Sequence, residues 1–129
     1  VIKTDDGVYH IIDWKTCSWG WDSRKKSDKI LAYQLVLYKH FFGAKHSIPI
    51  ENIHTHFALL KRTAKTGQKT EFVKVSSGKK RVHNALSLLN KALNFIDRKK
   101  FFKNRLSCNK MVGKKTYTCE LYNTKLCKR

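Results

Sequence analysis

The sequence predicts an α/β fold in which a mixed sheet is flanked by helices. Four short segments read as strands, two longer ones carry apolar residues at helical spacing, and their order is strand, strand, helix, strand, strand, helix. The chain has 129 residues, 41% of them hydrophobic and 12% aromatic. That is enough for one domain burying roughly two-thirds of the surface its unfolded chain exposes. Such a composition excludes general disorder.

Val1 to Thr4 is the first strand, closed by Asp5-Asp6-Gly7, where Asp tolerates and Gly prefers the positive backbone angles of a tight hairpin. Val8 to Lys15 returns as the second. Thr16 to Lys26 has no clean period and reads as a loop with Trp19, Gly20, Trp21 and the triplet Arg24-Lys25-Lys26. A helix is expected from about Asp28 to Phe42, with Ser27 as N-cap, Asp28 suiting the positive helix start and Gly43 as the stop. Its middle, Ile30 to Tyr38, is apolar nearly all round, as in a helix buried between layers. Gln34 interrupts that run.

Ile53, Thr55, Phe57 and Leu59 alternate with His54, His56 and Ala58, and Glu71 to Val75 follows a polar loop, giving a second hairpin. From Ser77 as cap, Val82, Ala85, Leu86, Leu89, Leu93 and Ile96 recur at helical spacing, so a second helix should end near Lys99. Residues 101–129 read as an irregular, lysine-rich tail carrying cysteines. There is no repeat and no linker long enough for a second domain, so the expectation is a single domain over 1–129.

With 28 Lys plus Arg against 9 Asp plus Glu, the formal charge is +19. Polyanions are the expected partners. No apolar run approaches the roughly 18 residues that span a bilayer, and no signal segment opens the chain. The expectation is an intracellular, cytoplasmic protein without membrane contact. Because the chain opens on Val1 inside a strand, without Met, it is expected to be the C-terminal portion of a longer, N-terminally truncated protein.

Asp13-Trp14-Lys15 ends the apolar strand. Residues two apart in a strand project to one face, so Asp13 and Lys15 stand side by side at the end of the sheet. A carboxylate can hold a hard divalent cation, and a neighbouring lysine can orient or deprotonate a water and offset phosphate charge. This arrangement suits phosphodiester hydrolysis. The same triplet also occurs as an ordinary surface ion pair. Gln34 and Tyr38, four apart, stack on one face of the following helix. An amide within an apolar helix needs polar partners, met either by backbone or by a site.

With IIDWKT ending a strand and AYQLVLYKHF on the next helix, the chain resembles the RecB-like, exonuclease-type branch of the PD-(D/E)XK nuclease superfamily. That family's pattern is D/E-x-K on a strand followed by a Q-x-x-x-Y helix. The resemblance extends less specifically over nearly the whole chain. It implies a restriction-endonuclease-like fold and a metal-dependent DNA nuclease, phage-encoded or part of recombination machinery. It also implies Asp13 and the Trp14 backbone carbonyl as ligands of Mg²⁺ or Mn²⁺, Lys15 as the catalytic lysine, and Gln34 and Tyr38 as organisers of the site that contact DNA. The family's other acidic ligand should lie about where this chain begins or just before Val1; Asp5 and Asp6, in the turn, are poor substitutes. The alternatives are a non-catalytic DNA-holding module of the same fold within a larger assembly, and a basic structural protein packed on nucleic acid.

Some relatives hold an iron–sulfur cluster on one early and three late cysteines. Cys108, Cys119 and Cys127 are separated by ten and seven residues without a C-x-x-C pair. A cluster or zinc there is one reading; reduced thiols, or two disulfides with Cys17, are the others. His54 and His56 share a strand face, as either a two-histidine metal site or ordinary surface residues. Trp19 and Trp21 beside Arg24, Lys25 and Lys26 could stack on bases and hold phosphates, or form a folded loop with a solvated charge run. With Lys79-Lys80-Arg81, Arg98-Lys99-Lys100 and Lys114-Lys115, the basic residues predict salt-sensitive binding through phosphates.

Overall fold

The computed structural model describes residues 1–100, 108–112, 115–122 and 124–125. It is α/β, and its chain forms two compact units, Val1–Lys91 and Ala92–Arg129. The first unit contains a four-stranded mixed sheet in the order β1 (Ile2–Lys3), β2 (Tyr9–Cys17), β3 (Ile53–Lys61), β4 (Thr70–Lys74). Its β1/β2 and β3/β4 pairs are antiparallel, and the central β2/β3 pair is parallel.

The Asp5-Asp6-Gly7 turn forms as expected. Gly7 has φ +81°, the Thr4 N–H donates to the Val8 carbonyl at 2.9 Å, and the Val8 N–H donates to Asp6 Oδ1 at 3.2 Å. The segment expected to be a loop contains a short helix, α1 (Ser23–Lys26), capped by Asp22, whose carboxylate accepts from the Lys25 N–H at 2.8 Å.

The crossover between the parallel strands is α2 (Lys29–His46). Its N-cap is Asp28, not Ser27: Asp28 Oδ1 accepts from the N–H groups of Ile30 (2.8 Å) and Leu31 (3.3 Å). The helix also runs through Gly43 to a left-handed Ser47. Gly43 is there for space, since a Cβ would stand 2.8 Å from Ile50 Cδ1 and 3.1 Å from Ile53 Cδ1. Nor is α2 buried all round. Ala32, Leu35, Val36 and Gly43 are buried, whereas Ile30, Tyr38 and Phe41 are exposed.

The side chains of β2 and β3 alternate between two faces. The odd-numbered set (Ile11, Ile53, Phe57 and Leu59) packs with Leu35 of α2 and Trp21 into the core. On the same face Thr55 is buried and hydrogen-bonded, its Oγ1 donating to the Val75 carbonyl at 2.9 Å. The helix expected from Ser77 is α3 (Lys79–Asp97). The carbonyl that closes its first turn is that of Gly78, accepting from the Val82 N–H at 3.1 Å.

Within the second unit, β5 (Asn109–Val112) and β6 (Lys115–Thr118) form an antiparallel hairpin, so the segment expected to be irregular carries regular structure. Cys108 and Cys119 flank it, joined through a 2.8 Å backbone hydrogen bond from the Cys119 N–H to the Cys108 carbonyl. Among the described residues no disulfide joins Cys17, Cys108 and Cys119. Cys127 and Lys114 lie outside the described residues. No described helix is long and apolar enough to cross a membrane.

Candidate functional site

Asp13 and Lys15 lie on the core face of β2, towards its C-terminal end, and Gln34 and Tyr38 lie one turn apart on α2. The fold brings all four together. Lys15 Nζ stands 2.8 Å from Asp13 Oδ2 and donates a 3.2 Å hydrogen bond to Gln34 Oε1. Gln34 Nε2 in turn donates to the Tyr38 hydroxyl at 3.0 Å. The amide that interrupts the apolar helix is therefore satisfied by side chains on both its oxygen and its nitrogen, and backbone is not its partner.

The Asp13–Lys15 contact is an ion pair without hydrogen-bond alignment. Oδ2 is buried and accepts no hydrogen bond, although the Asp13 side chain as a whole is 21% exposed. Its charge is met by the Lys15 ammonium, while its lone pairs take no aligned donor. Lys15 also lies over the Phe57 ring, 5.8 Å from its centroid. This low-dielectric floor strengthens its interactions with anions. The β1 register pairs Ile2 with His10 and Lys3 with Tyr9. Among the described residues, these β1 partners stop at His10 and do not reach Asp13.

The basic loop divides. Trp19 is 79% exposed, whereas Trp21 is 7% exposed and packs on Phe57 with ring centroids 5.0 Å apart. Trp21 is therefore a core residue rather than an exposed base-stacking platform; its apolar burial outweighs the cost of an indole Nε1 that is buried without a hydrogen-bond partner. Lys25 lies over the Trp21 ring at 5.1 Å, and Lys26 pairs with Glu71 at 2.7 Å. Glu71 also lies 3.5 Å from Lys61. The hydrogen bond from Lys26, with the charge of both lysines, holds the Glu71 carboxyl below its usual range. Arg24 is exposed.

Two clefts of about 470 Å³ line the junction of α2 with the start of α3. One presents Lys29, Tyr33, Ser76, Lys79, Lys80 and Arg81. The sequence marked Lys79-Lys80-Arg81 as a basic run but gave no sign of Lys29 and Tyr33 beside it, because that neighbourhood is made by helix packing.

The His54/His56 pair acquires a third member, His10 of β2. On the opposite side of the sheet from Asp13, these imidazoles form a separate cluster. No family model, curated protein or solved structure matches the chain.

Proposed function

We propose that this chain carries the core of a metal-dependent DNA nuclease of restriction-endonuclease-like architecture, akin to the RecB-like branch of the PD-(D/E)XK superfamily, acting on DNA in an exonuclease-like manner during processing or recombination. The observation supporting this reading is the continuous chain of contacts Asp13–Lys15–Gln34–Tyr38 across β2 and α2. Two residues of a strand motif and two of a helix motif, far apart in sequence, meet at hydrogen-bond or ion-pair distance.

The donor chemistry fits a hard divalent cation. Asp13 Oδ2 is a buried carboxylate oxygen without a hydrogen bond, and Mg²⁺ takes one or two carboxylates while keeping waters and substrate oxygens. Asp13 and the Trp14 carbonyl would hold the ion, its remaining positions filled by water and substrate oxygens. The ion supplies polarisation of the scissile phosphate and a water of lowered pKa. Lys15, steered by Gln34, turns its ammonium from Asp13 towards a non-bridging phosphate oxygen and orients the attacking water. Tyr38 fixes the Gln34 amide, so that its oxygen faces Lys15. Arg24, Lys25 and the cleft with Lys29, Lys79, Lys80 and Arg81 recruit the strand through its phosphates.

The test is Mg²⁺-dependent degradation of linear DNA by the full-length protein. Asp13→Ala and Lys15→Ala should each slow it by about 100-fold or more, the usual cost of removing an electrostatic contributor to the transition state. Equal rates for all three proteins would overturn the assignment.

A second reading is favoured by the ion pair itself, since Lys15 already neutralises Asp13 at 2.8 Å. In it the same fold holds DNA without cutting it, as a module of a larger assembly. Both readings require phosphate contact, so DNA affinity should fall steeply with rising salt, in proportion to the phosphates neutralised. A salt-independent dissociation constant would remove DNA as the partner in either.

A further inference from the structure

His10 on β2 and His54 and His56 on β3 belong to the even-numbered face, opposite Asp13 and Lys15. The parallel register sets His10 directly beside His54 and pairs His56 with Ile12, two residues further along. Two imidazoles from one strand and one from its neighbour therefore share a small area of the sheet. All three are half-buried, and one ring nitrogen of each lies within 4.8 Å of those of the other two. His10 Nδ1 and His56 Nε2 are 3.4 Å apart. Two nitrogens bound tetrahedrally to Zn²⁺ at about 2.0–2.1 Å stand ~3.3–3.4 Å apart. That pair is already at ligand spacing.

The rings offer donor atoms with little else to do. Among the described residues, the His10–His56 contact is the only side-chain hydrogen bond any of the three makes. The His10 ring meets His56 stacked, with centroids 5.5 Å apart, and His54 edge-on at 5.6 Å. Burial, mutual proximity and the charge of Lys74, joined at His54 by that of Lys39, lower the pKa of the His54 and His56 imidazoles.

We propose that His10, His54 and His56 form a binding site for a borderline divalent transition metal of the zinc class, with three imidazole ligands and a fourth position open to water or an exogenous ligand. Imidazole nitrogen suits Zn²⁺, and three histidines with an open position are one of its common coordination sets. The ion clamps β2 to β3 across the parallel pair, on the face opposite the Asp13–Lys15 network. The site stands independently of the nuclease reading, because the two residue sets share no member and no contact.

The experiment titrates Zn²⁺ into the metal-free, full-length protein, expressed without a polyhistidine tag and followed by calorimetry. One ion should bind per chain at this site. His10→Ala, His54→Ala and His56→Ala should each weaken binding by at least the roughly 10–100-fold that even an outer-shell partner costs. Asp13→Ala, and a variant with Cys17, Cys108, Cys119 and Cys127 all changed to Ser, should leave it unchanged. Two measurements on the unaltered protein guard against misfolded variants. Its Co²⁺ complex should show a tetrahedral visible spectrum without a thiolate charge-transfer band. Zn²⁺ should also protect these three histidines, read by peptide mass spectrometry, from acylation by diethylpyrocarbonate. Absence of binding, a thiolate band, or binding that survives His54→Ala in a folded variant would overturn the proposal.

Discussion

The two faces of β2 and β3 are built from the same strands and differ in what covers them. On the odd-numbered face, α2 lies close enough that Leu35 and Val36 have no exposed surface. There the ion pair and its amide support sit beside a packed core that limits their rotamers. On the even-numbered face, Trp14 and Phe72 are 58% and 57% exposed, in register either side of Ala58. Strand pairing is what places the histidines there. One face holds its polar groups through a neighbouring helix, the other through backbone register. The former should resist local perturbation through packing, and the latter should need a ligand to become equally fixed.

The sharpest test of that difference is truncation on each side. Leu35→Ala should destabilise the protein by about 2–5 kcal/mol, the range for a fully buried leucine whose cavity only partly collapses. Phe72→Ala should stay within about 0.5 kcal/mol. Both are read by denaturant unfolding, and similar losses would mean that the even-numbered face is covered after all.

An effect well below that of Leu35→Ala is expected at the edge of the core face, where Glu71 bridges Lys26 and Lys61. Its folded-state pKa is lowered below the ordinary 4.5, chiefly by the Lys26 hydrogen bond. A depressed carboxylate contributes stability that is full above its unfolded pKa and lost as pH falls through the folded value. Glu71→Gln should therefore cost about 1 kcal/mol or less at neutral pH, because the pair is partly solvated. The difference from the parent should shrink as acid titrates the parent's carboxylate. A difference independent of pH would assign the effect to packing.

Much of the candidate site was legible because its links are local. Asp13 and Lys15 share a face by the two-residue period of a strand, and Gln34 and Tyr38 share one by the helical repeat. Helix ends were less legible. Ser27 and Asp28 are both competent caps, and only the backbone path of the preceding α1 selects Asp28. Gly43 looked like a stop because glycine usually ends helices. Its actual role depends on Ile50 and Ile53, which approach it from outside the helix.

By itself, then, the sequence determined the α/β class, the alternation of each strand and the two halves of the Asp13–Gln34 network, since all three follow from periods of two to four residues. Tertiary structure decided the rest. The parallel pairing of β2 with β3 joined Lys15 to Gln34 through the crossover helix, brought His10 to His54 and His56, and left Trp21 rather than Trp19 to fill the core. Those contacts link residues far apart in the chain, and their register is set by burying the odd-numbered face as a whole; no local period encodes which distant residue will be met.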